Sequence, residues 1–333
     1  MGVALRDIIA DYKVPVTWES LGGVAVVDAH NALYQFLSII RQPDGTPLMD
    51  HRGRITSHLS GILFRTVNFM EKGIRTAYVF DGKPPELKSE TVAQRRSVRQ
   101  EAGDRWQEAL EKGDIEEAYK QARSSSRIDD QVLETSKKLL GLLGIPIIQA
   151  PSEGEAQAAA MVASGNARYV VSQDYDTLLF GGPALVRNLT VSGKRKVRGR
   201  TITISPERIQ LQEVLAGLSV TREQLIQISI LVGTDFNAGV RGIGAKTALK
   251  IVQKGDFAST MAGKQPELDY DPIMEFFTSP PVTDDYELAW QPPDKEGIVA
   301  MLCEDFDFSE DRIRKALEGM GAKTGQKTLD AWF

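Results

Sequence analysis

The residues best suited to chemistry in this sequence are acidic side chains that follow short apolar runs. Such runs, rich in β-branched residues, predict strands buried on both faces of a sheet. Because ligands bind beyond the carboxyl ends of parallel strands, the acidic side chains are predicted to converge there. One aspartate after a strand is usually a turn residue or a helix cap, but four runs that end alike are not explained in that way. The runs and the residues that follow them are Gly23–Val27 with Asp28, Thr76–Phe80 with Asp81, Ile145–Ile148 with Glu153 and Glu155, and Arg168–Ser172 with Asp174 and Asp176.

A cluster of carboxylates stays ionised only when cations neutralise it. Two carboxylates about 4 Å apart repel by roughly 4 kcal/mol at an effective dielectric constant of about 20. Carboxylate oxygens are hard ligands, and neither a cysteine nor a zinc-spaced histidine pair lies nearby in the sequence, which favours Mg²⁺ or Mn²⁺. One Mg²⁺ keeps several waters and takes few carboxylates, so two ions are predicted. Paired ions of this kind support hydrolysis at phosphorus in nucleases and phosphatases.

The elements that must position these residues alternate between strands and helices. This alternation predicts an α/β fold with a central, mostly parallel sheet flanked by helices. Residues 84–127 are charged and rich in glutamine, with a break at Gly113-Asp114, and they predict one or two exposed helices inserted between sheet elements. Residues 207–252 are predicted to be helical.

Composition excludes several classes of protein. With 42% hydrophobic residues, the 333-residue chain can bury a large core, and it is not a disordered or low-complexity sequence. Its single cysteine, Cys303, excludes a disulfide-stapled scaffold. The absence of a signal peptide and of a long apolar run leads us to expect an intracellular protein. The net charge of -5 is weak evidence against a polyanionic partner, since charge distribution matters more than the total.

The acidic runs extend into five blocks that resemble the structure-specific 5′-nuclease family, and within it the archaeal and eukaryotic flap endonucleases. The blocks occur in the family's order, and the likeness runs from Met1 to Phe333. They are Val27-Asp28-Ala29, Val79-Phe80-Asp81-Gly82-Lys83-Pro84-Pro85, Ser152-Glu153-Gly154-Glu155-Ala156-Gln157-Ala158, Gln173-Asp174-Tyr175-Asp176 and Gly233-Thr234-Asp235-Phe236.

The resemblance implies a PIN-like nuclease core with a helical arch and a helix-hairpin-helix-like element. It implies a Mg²⁺-dependent 5′ flap endonuclease with 5′–3′ exonuclease activity, which hydrolyses DNA at single-strand/double-strand junctions by a two-metal-ion mechanism. Okazaki fragment processing and base excision repair are the expected pathways. The metal ligands that it implies, direct or through water, are Asp28, Asp81, Glu153, Glu155, Asp174, Asp176 and Asp235.

Basic side chains follow Asp81 at the start of the charged segment. A charge run is usually a solvated helix face, but a cation beside Asp81 could hold the scissile phosphate and offset charge in the transition state. The resemblance assigns this segment to the arch that a 5′ single strand passes through. It matches Lys88 and Arg95 to catalytic basic residues, and the further predicted DNA contacts here are Lys83, Arg96 and Arg99.

Two more features are interpreted through the resemblance. Tyr34 could be a core residue, since tyrosine burial is intermediate, whereas the family's matching tyrosine stacks on a base beside the cut. Residues 40–69 resemble the family's hydrophobic wedge, which bends DNA at the junction and accepts a 3′ flap nucleotide. The basic run Lys194–Arg200 fits a solvated hairpin tip or a contact to the DNA backbone, and no residue there is assigned a role.

The glycine-rich run Gly239–Thr247 is not a phosphate-binding P-loop, because Ala245 stands where that motif needs lysine. It fits either a tight turn between two helices or a helix-hairpin-helix-like turn whose amides contact DNA phosphate. Gly242, Gly244 and Lys246 are therefore predicted DNA contacts, and the resemblance implies a K⁺ ion at this turn.

The C-terminal residues 319–333 are predicted to be a flexible tail that ends in an apolar cluster. The cluster could dock on its own domain, but its spacing resembles the sliding-clamp (PCNA) interaction box, with Gln326, Leu329, Trp332 and Phe333 as the binding residues. No basic extension follows, which favours an archaeal-type, cytoplasmic and nucleoid-associated protein. The chain is expected to act as a monomer.

The predicted domains follow the chain in order. Residues 1–98 form an N-terminal nuclease region with the wedge and the start of the arch, 99–127 the rest of the arch, 128–255 an internal nuclease region with the hairpin element, 256–318 a C-terminal helical region, and 319–333 the tail. Two alternative functions are a non-catalytic, clamp-tethered junction binder and a phosphomonoesterase of the haloacid-dehalogenase type. The second is suggested by Asp174–Leu178, although Thr177 comes one position too early for that motif.

Overall fold

The computed structural model describes residues 3–191, 193–197 and 200–320, without the side chains of residues 89–96, 99 and 191–202. Within these ranges the strands are β1 (Val14–Pro15), β2 (Gly23–Asp28), β3 (Ile74–Phe80), β4 (Ile147–Gln149), β5 (Tyr169–Val171), β6 (Ala184–Arg187), β7 (Gly193–Val197), β8 (Arg200–Ile204) and β9 (Glu207–Gln210).

The α-helices of the same ranges connect and flank these strands. Single turns of 3₁₀-helix occur at Ala10–Tyr12, Trp18–Leu21, Glu86–Lys88 and Leu189–Val191, and a π-helical segment spans Ala300–Asp305. The α-helices are α1 (Arg6–Ile9), α2 (Ala29–Ile39), α3 (Ser57–Glu71), α4 (Ser89–Glu111), α5 (Ile115–Ser124), α6 (Asp130–Leu142), α7 (Gly154–Ala163), α8 (Asp176–Leu179), α9 (Leu211–Leu218), α10 (Arg222–Val232), α11 (Ala245–Gln253), α12 (Phe257–Lys264), α13 (Asp271–Thr278), α14 (Lys295–Val299) and α15 (Glu310–Gly319).

Seven of the described strands form one sheet in the order β1-β9-β6-β5-β2-β3-β4. The pairs β2–β5 and β5–β6 are parallel, whereas β9 runs antiparallel to both β6 and β1. The predicted α/β fold is confirmed, with a sheet that is mixed because of β9. The hairpin of β7 and β8 carries the basic run 194–200, of which residues 198 and 199 lie outside the described ranges.

Strand β2 lies in the buried middle of the sheet. Ala25, Val26 and Val27 are fully buried, as is Val170 of the neighbouring strand β5. Continuous apolar sequence is what a strand with both faces covered requires, which is why these runs were recognisable. Val27 pairs in register with Val171, so Asp28 and Ser172 leave the sheet side by side at its carboxyl edge.

The chain forms two compact units, each built from three segments. The first comprises Met1–Ala32, Tyr78–Arg96 and Ile148–Tyr286, and the second comprises Leu33–Ala77, Ser97–Ile147 and Glu287–Phe333. Helices α2 and α4 begin in the first unit and continue into the second, whereas β3 and β4 begin in the second and end in the first. The consecutive domain boundaries predicted from the sequence remain predictions.

Two local expectations need correction. Residues 207–210 form strand β9 rather than the start of a helix, because they pair with both β1 and β6. Between residues 84 and 127, where one or two exposed helices are predicted, the structure has the two helices α4 and α5, and α5 is not exposed all round, since its Ala118 and Ala122 are fully buried. Alanine gives a weak apolar signal in a sequence yet allows a helix to pack closely.

Among the helices in the described ranges, none is both long and apolar enough to cross a lipid bilayer.

His58 gives the second unit a stability that depends on pH. It is 1% exposed on α3, its Nε2 lies 2.8 Å from Thr135 Oγ1, and burial lowers its pKa to about 4. Since the unfolded chain binds the proton at about pH 6.5, the free energy of unfolding is expected to fall as pH decreases from about 6.5 to 4, by at most about 3 kcal/mol. Unfolding by denaturant at pH 7.5 and pH 5 measures the loss, which His58→Gln should reduce. An equal loss in that variant would contradict the assignment.

Candidate active site

Acidic side chains gather at the carboxyl edge of the sheet, within the first unit. Asp28 ends β2 and is 5% exposed, Asp81 follows β3, and Asp174 and Asp176 follow β5, with Asp176 opening α8. The amide of Val3 donates to Asp176 Oδ1 at 2.8 Å. The strands therefore deliver these four side chains to one edge, as predicted.

The glutamates enter the same site from the start of α7. Glu153 is the residue that precedes the helix, and Glu155 lies in its first turn. Ser172, next to the end of β5, donates to Glu155 Oε1 at 2.9 Å and lies 3.3 Å from Asp28 Oδ2. A helix N-terminus favours negative charge, so this is a suitable position for two carboxylates.

The electrostatics are those of a crowded, water-poor acidic pocket. Burial, reinforced by the charges of Asp81 and Asp174, raises the pKa of Asp28 to about 8. Burial and the charges of Asp174 and Asp235 raise the pKa of Asp176 to about 7. Burial, followed by the charge of Asp176, also raises the pKa of Glu155 well above its usual value. Without added cations, the surroundings of Asp28, Glu155 and Asp176 therefore favour the protonated form of these three carboxyl groups.

Lys88 supplies one positive charge inside this pocket. Its Nζ lies 2.7 Å from Glu153 Oε2 and 3.3 Å from Asp235 Oδ2. Burial disfavours the ammonium, but the charges of Glu153 and Asp235 outweigh it and raise the pKa of Lys88 above its usual value. Burial likewise raises the pKa of Glu153, and the charge of Lys88 opposes that shift. Asp235, which lies just after α10, is thus part of the same pocket.

The residues present suit divalent cations. All seven predicted ligands offer hard carboxylate oxygens, and each influences the pKa of at least one other member or is influenced by it. In the part of the chain that the structure describes, no group of three or more His, Cys, Asp or Glu side chains is arranged so that it could hold a metal ion. Mg²⁺ does not require three protein ligands, because it keeps several waters and binds one or two carboxylates. The donor chemistry therefore fits hydrated Mg²⁺ or Mn²⁺.

A polar network that the sequence analysis missed joins the acidic residues. The amide of Asn31 donates to Asp28 Oδ1 at 3.0 Å, and its side chain donates to Asp174 Oδ2 at 2.9 Å while accepting from the amide of Gln173 at 3.0 Å. Asn31 thereby fixes Asp28 and the turn before Asp174 relative to each other. The signal in the sequence was a polar pair, His30-Asn31, in the first turn of a mostly apolar helix.

His30, the first residue of that pair, contacts Asp81. The amide of Asp81 donates to His30 Nδ1 at 3.2 Å, and the same Nδ1 lies 3.3 Å from Asp81 Oδ2. The imidazole packs edge-on against Phe80, with 6.1 Å between ring centroids. A histidine thus stands beside a site that the sequence predicted to be lined by carboxylates.

The remaining predicted site residues lie on other elements, or they are among the side chains that the structure does not describe. Tyr34 is half-buried on α2, Lys83 is exposed after β3, and Lys246 is exposed in the first turn of α11, which Gly242 and Gly244 precede. The backbones of Arg95, Arg96 and Arg99 belong to α4, but their side chains lie outside the described set. Gln326, Leu329, Trp332 and Phe333 lie outside the described residues altogether.

Two glycines set how closely Asp81 approaches its neighbours. A Cβ on Gly82 would lie 2.1 Å from the carbonyl oxygen of Ala150, which is backbone and cannot easily move. A Cβ on Gly154 would lie 2.7 Å from Asp81 Oδ1, the atom to which the Gly154 amide donates at 2.8 Å. Gly82 is therefore required for the fold, and Gly154 is required for the position of the Asp81 carboxylate.

Gly154→Ala and Gly82→Ala are expected to differ in what they damage. Alanine at 154 pushes a side chain that can rotate and favours the helix, so the melting temperature should hold while cleavage of DNA falls about 10- to 100-fold. Alanine at 82 meets backbone and should lower the free energy of unfolding by about 1–3 kcal/mol. Thermal unfolding together with a cleavage assay separates the two. Equal losses of stability in both variants would contradict the distinction.

Comparisons with known proteins give one consistent result. Residues 1–102 match the XPG N-terminal domain and residues 144–235 match the XPG I-region, and together these regions contain all seven acidic residues. The chain is 66% identical to flap endonuclease 1 of Methanoregula boonei, over the full length of both chains. It is 54% identical to flap endonuclease 1 of Pyrococcus furiosus, with 100% of this chain and 99% of the relative covered.

Solved structures agree with this. Flap endonuclease-1 from Methanococcus jannaschii is 42% identical, with a TM-score of 0.76 over 94% of this chain and 96% of that one. The catalytic core of Rad2 in complex with DNA substrate shares the fold at 22% identity, with a TM-score of 0.71 over 96% of this chain and 100% of that one. The acidic pocket at the sheet edge, the two matched XPG regions and the full-length identity together establish that the chain belongs to the flap endonuclease family of XPG-type nucleases.

Proposed function

We propose that the acidic pocket hydrolyses DNA phosphodiesters at the base of 5′ flaps, with two Mg²⁺ ions as its cofactors and Mn²⁺ as a substitute. The observation that carries this proposal is the gathering of acidic residues from five separate segments at one sheet edge, two of which, Glu153 and Asp235, contact the Lys88 ammonium. Nucleases of this family depend on divalent metal ions and act on DNA. The coarse activity therefore follows from membership of the family, while the residue roles below are our proposals.

The chain's own residues would prepare the site in two ways. The ligands would be Asp28, Asp81, Glu153, Glu155, Asp174, Asp176 and Asp235, held in place by Asn31, Ser172 and the Gly154 amide. The burial that raises the pKa of Asp28 and Asp176 also strengthens their interaction with any positive charge. Bound cations would supply Lewis-acid chemistry, activating a water and stabilising the leaving oxygen.

Lys88 would act on the substrate phosphate. Its ammonium already lies among the carboxylates, so it is close to where a scissile phosphate would be drawn. There it would offset the negative charge that grows on the phosphate oxygens in the transition state. Arg95 is proposed as a second group of this kind.

DNA outside the cut would be held by residues further from the pocket. Tyr34 would stack on a base, and Lys83, Arg96 and Arg99 would contact the flap strand. The turn before α11, with Gly242 and Gly244, would present amides to a phosphate of the duplex, with Lys246 adding charge and K⁺ bound at the turn.

The proposed partner beyond DNA is the sliding clamp. Gln326, Leu329, Trp332 and Phe333 have the spacing of its interaction box. We further propose that the protein acts as a monomer on chromosomal DNA in the nucleoid, during replication and repair. Removal of residues 326–333 should leave cleavage of free flaps intact and abolish stimulation by the clamp, whereas unchanged stimulation would contradict the assignment.

A 5′-labelled flap on a gel tests the central proposal. The protein is expected to release the flap at the junction with Mg²⁺ or Mn²⁺ and not with EDTA, leaving a 5′-phosphate and a 3′-hydroxyl on the DNA. The control is a single strand of the same sequence, which should be cut much more slowly. Binding of the flap without cutting would favour a junction-binding protein, and release of phosphate from a small monoester would favour a phosphatase.

A further inference from the structure

We infer that His30 is a positioning residue for the Asp81 carboxylate and thereby raises the affinity of the free protein for divalent cations. The inference rests on the proposed function, in which Asp81 binds a cation. Its starting point is that one ring nitrogen, His30 Nδ1, contacts both the backbone amide and the carboxylate of Asp81, at 3.2 Å and 3.3 Å.

Asp81 is held from several sides, and His30 provides the hold on its backbone amide. The Gly154 amide donates to Oδ1 at 2.8 Å, and the Asp81 carbonyl accepts from Gln149 Nε2 at 2.6 Å. With the Asp81 amide donating to His30 Nδ1, the Oδ1 atom and both backbone polar groups of Asp81 each have a hydrogen-bond partner. A ligand restrained in this manner does not have to be ordered when a cation binds.

The ring of His30 is itself fixed by its surroundings. His30 is the second residue of α2, two positions after Asp28, and its edge-on contact with Phe80 joins the start of α2 to the end of β3. Phe80 is 1% exposed, so the ring rests on a rigid surface. The imidazole therefore fixes Asp81, the first residue after β3, relative to the sheet.

The loss of this hold has a defined consequence. Without the imidazole, the Asp81 amide loses its acceptor, and the backbone that carries the carboxylate gains conformational freedom. Residues that orient ligands typically change cation affinity or activity by about 10- to 100-fold when they are removed. The affinity for DNA should be unaffected, because His30 is not among the proposed DNA contacts.

Mn²⁺ titration of the full chain without DNA, followed by electron paramagnetic resonance, tests the inference. His30→Ala is expected to weaken Mn²⁺ binding about 10- to 100-fold. His30→Asn should retain most of the affinity, because its amide oxygen reaches the place of Nδ1, whereas His30→Gln places its polar end where Nε2 stands and should resemble alanine. Asn166→Ala, which removes an exposed hydrogen bond to Tyr286 in the same unit, is the matched control.

Kinetics supply a second readout. In His30→Ala, cleavage at low Mg²⁺ should fall, should recover in part as Mg²⁺ is raised, and should leave the KM for the flap unchanged. Wild-type Mn²⁺ affinity in His30→Ala, or equal affinities in the Asn and Gln variants, would overturn the inference. If His30→Ala does not fold, the Asn and Gln pair still decides it. Failure of the wild-type protein to cut a flap would instead contradict the proposed function, and the Mn²⁺ result would be unaffected.

Discussion

Asp28→Asn is expected to cut a 5′ flap at least roughly 10³-fold more slowly than the wild-type protein while binding the flap with similar affinity. Asparagine keeps the size of the side chain and the hydrogen bond from the Asn31 amide, but it removes the negative charge at the end of β2. A charge contribution of several kcal/mol to the transition state corresponds to a loss of this size. Single-turnover cleavage and a filter-binding assay in Ca²⁺ measure the two properties.

The same variant is expected to be more stable than the wild-type protein when a chelator is present. Burial raises the pKa of Asp28 to about 8, against about 4 in an unfolded chain. The folded protein therefore binds a proton more tightly than the unfolded one, and the free energy of unfolding of the wild type falls as pH rises from about 4 to 8. Asparagine does not titrate, so its advantage should grow over that range.

Thermal unfolding in EDTA at pH 6 and pH 8 checks this second effect. Addition of Mg²⁺ should then raise the melting temperature of the wild type more than that of the variant, because a ligand stabilises the state that binds it. A variant that loses flap binding and melts earlier at both pH values would show that Asp28 serves the fold rather than the reaction.

Lys88→Ala is expected to lower the cleavage rate about 10²- to 10³-fold without lowering the affinity for divalent cations. The loss follows from removal of the positive charge next to the phosphate. The retained affinity follows from geometry, because the ammonium now neutralises Glu153 and Asp235, which would otherwise attract a cation. Mn²⁺ binding to the free variant is therefore expected to equal or exceed that of the wild type.

Two further variants make the Lys88 result interpretable. Lys88→Arg keeps the charge on a larger, planar group, so partial activity would indicate that charge matters more than shape. Lys264→Ala removes an exposed lysine at the end of α12 and should behave as the wild type. A fall in cation affinity with unchanged cutting in Lys88→Ala would contradict the role proposed for this residue.

Much of the acidic framework was predictable from the sequence because Asp28, Asp81, Asp174 and Asp176 follow apolar runs that are typical of buried strands, whereas Asp235 follows a helix and was predicted only through the family resemblance. Asp28 after Gly23–Val27 and Asp81 after Thr76–Phe80 are examples. Parallel pairing, such as that of β2 with β5, then brings the carboxyl ends of the strands to the same edge of the sheet. The central sheet and the convergence of these residues could therefore be predicted without knowledge of tertiary contacts.

The supporting network could not be predicted, since its hydrogen bonds join residues that are remote in the chain. Asn31 contacts Asp174, and Lys88 contacts Glu153, across 143 and 65 positions. Strand β9 was hidden for a related reason, because its four residues become a strand only by pairing with β6 and β1. Propensity in so short a segment is overridden by its partners.

The scattering of the acidic residues along the chain also bears on biosynthesis. A polypeptide still attached to the ribosome has Asp28 and Asp81 early but no Asp235 until more than two thirds of translation is complete. Since each compact unit is assembled from three segments, the amino-terminal portion cannot mature alone. The order of synthesis thus leaves any translation product that ends before Asp235 without the complete set of seven acidic residues.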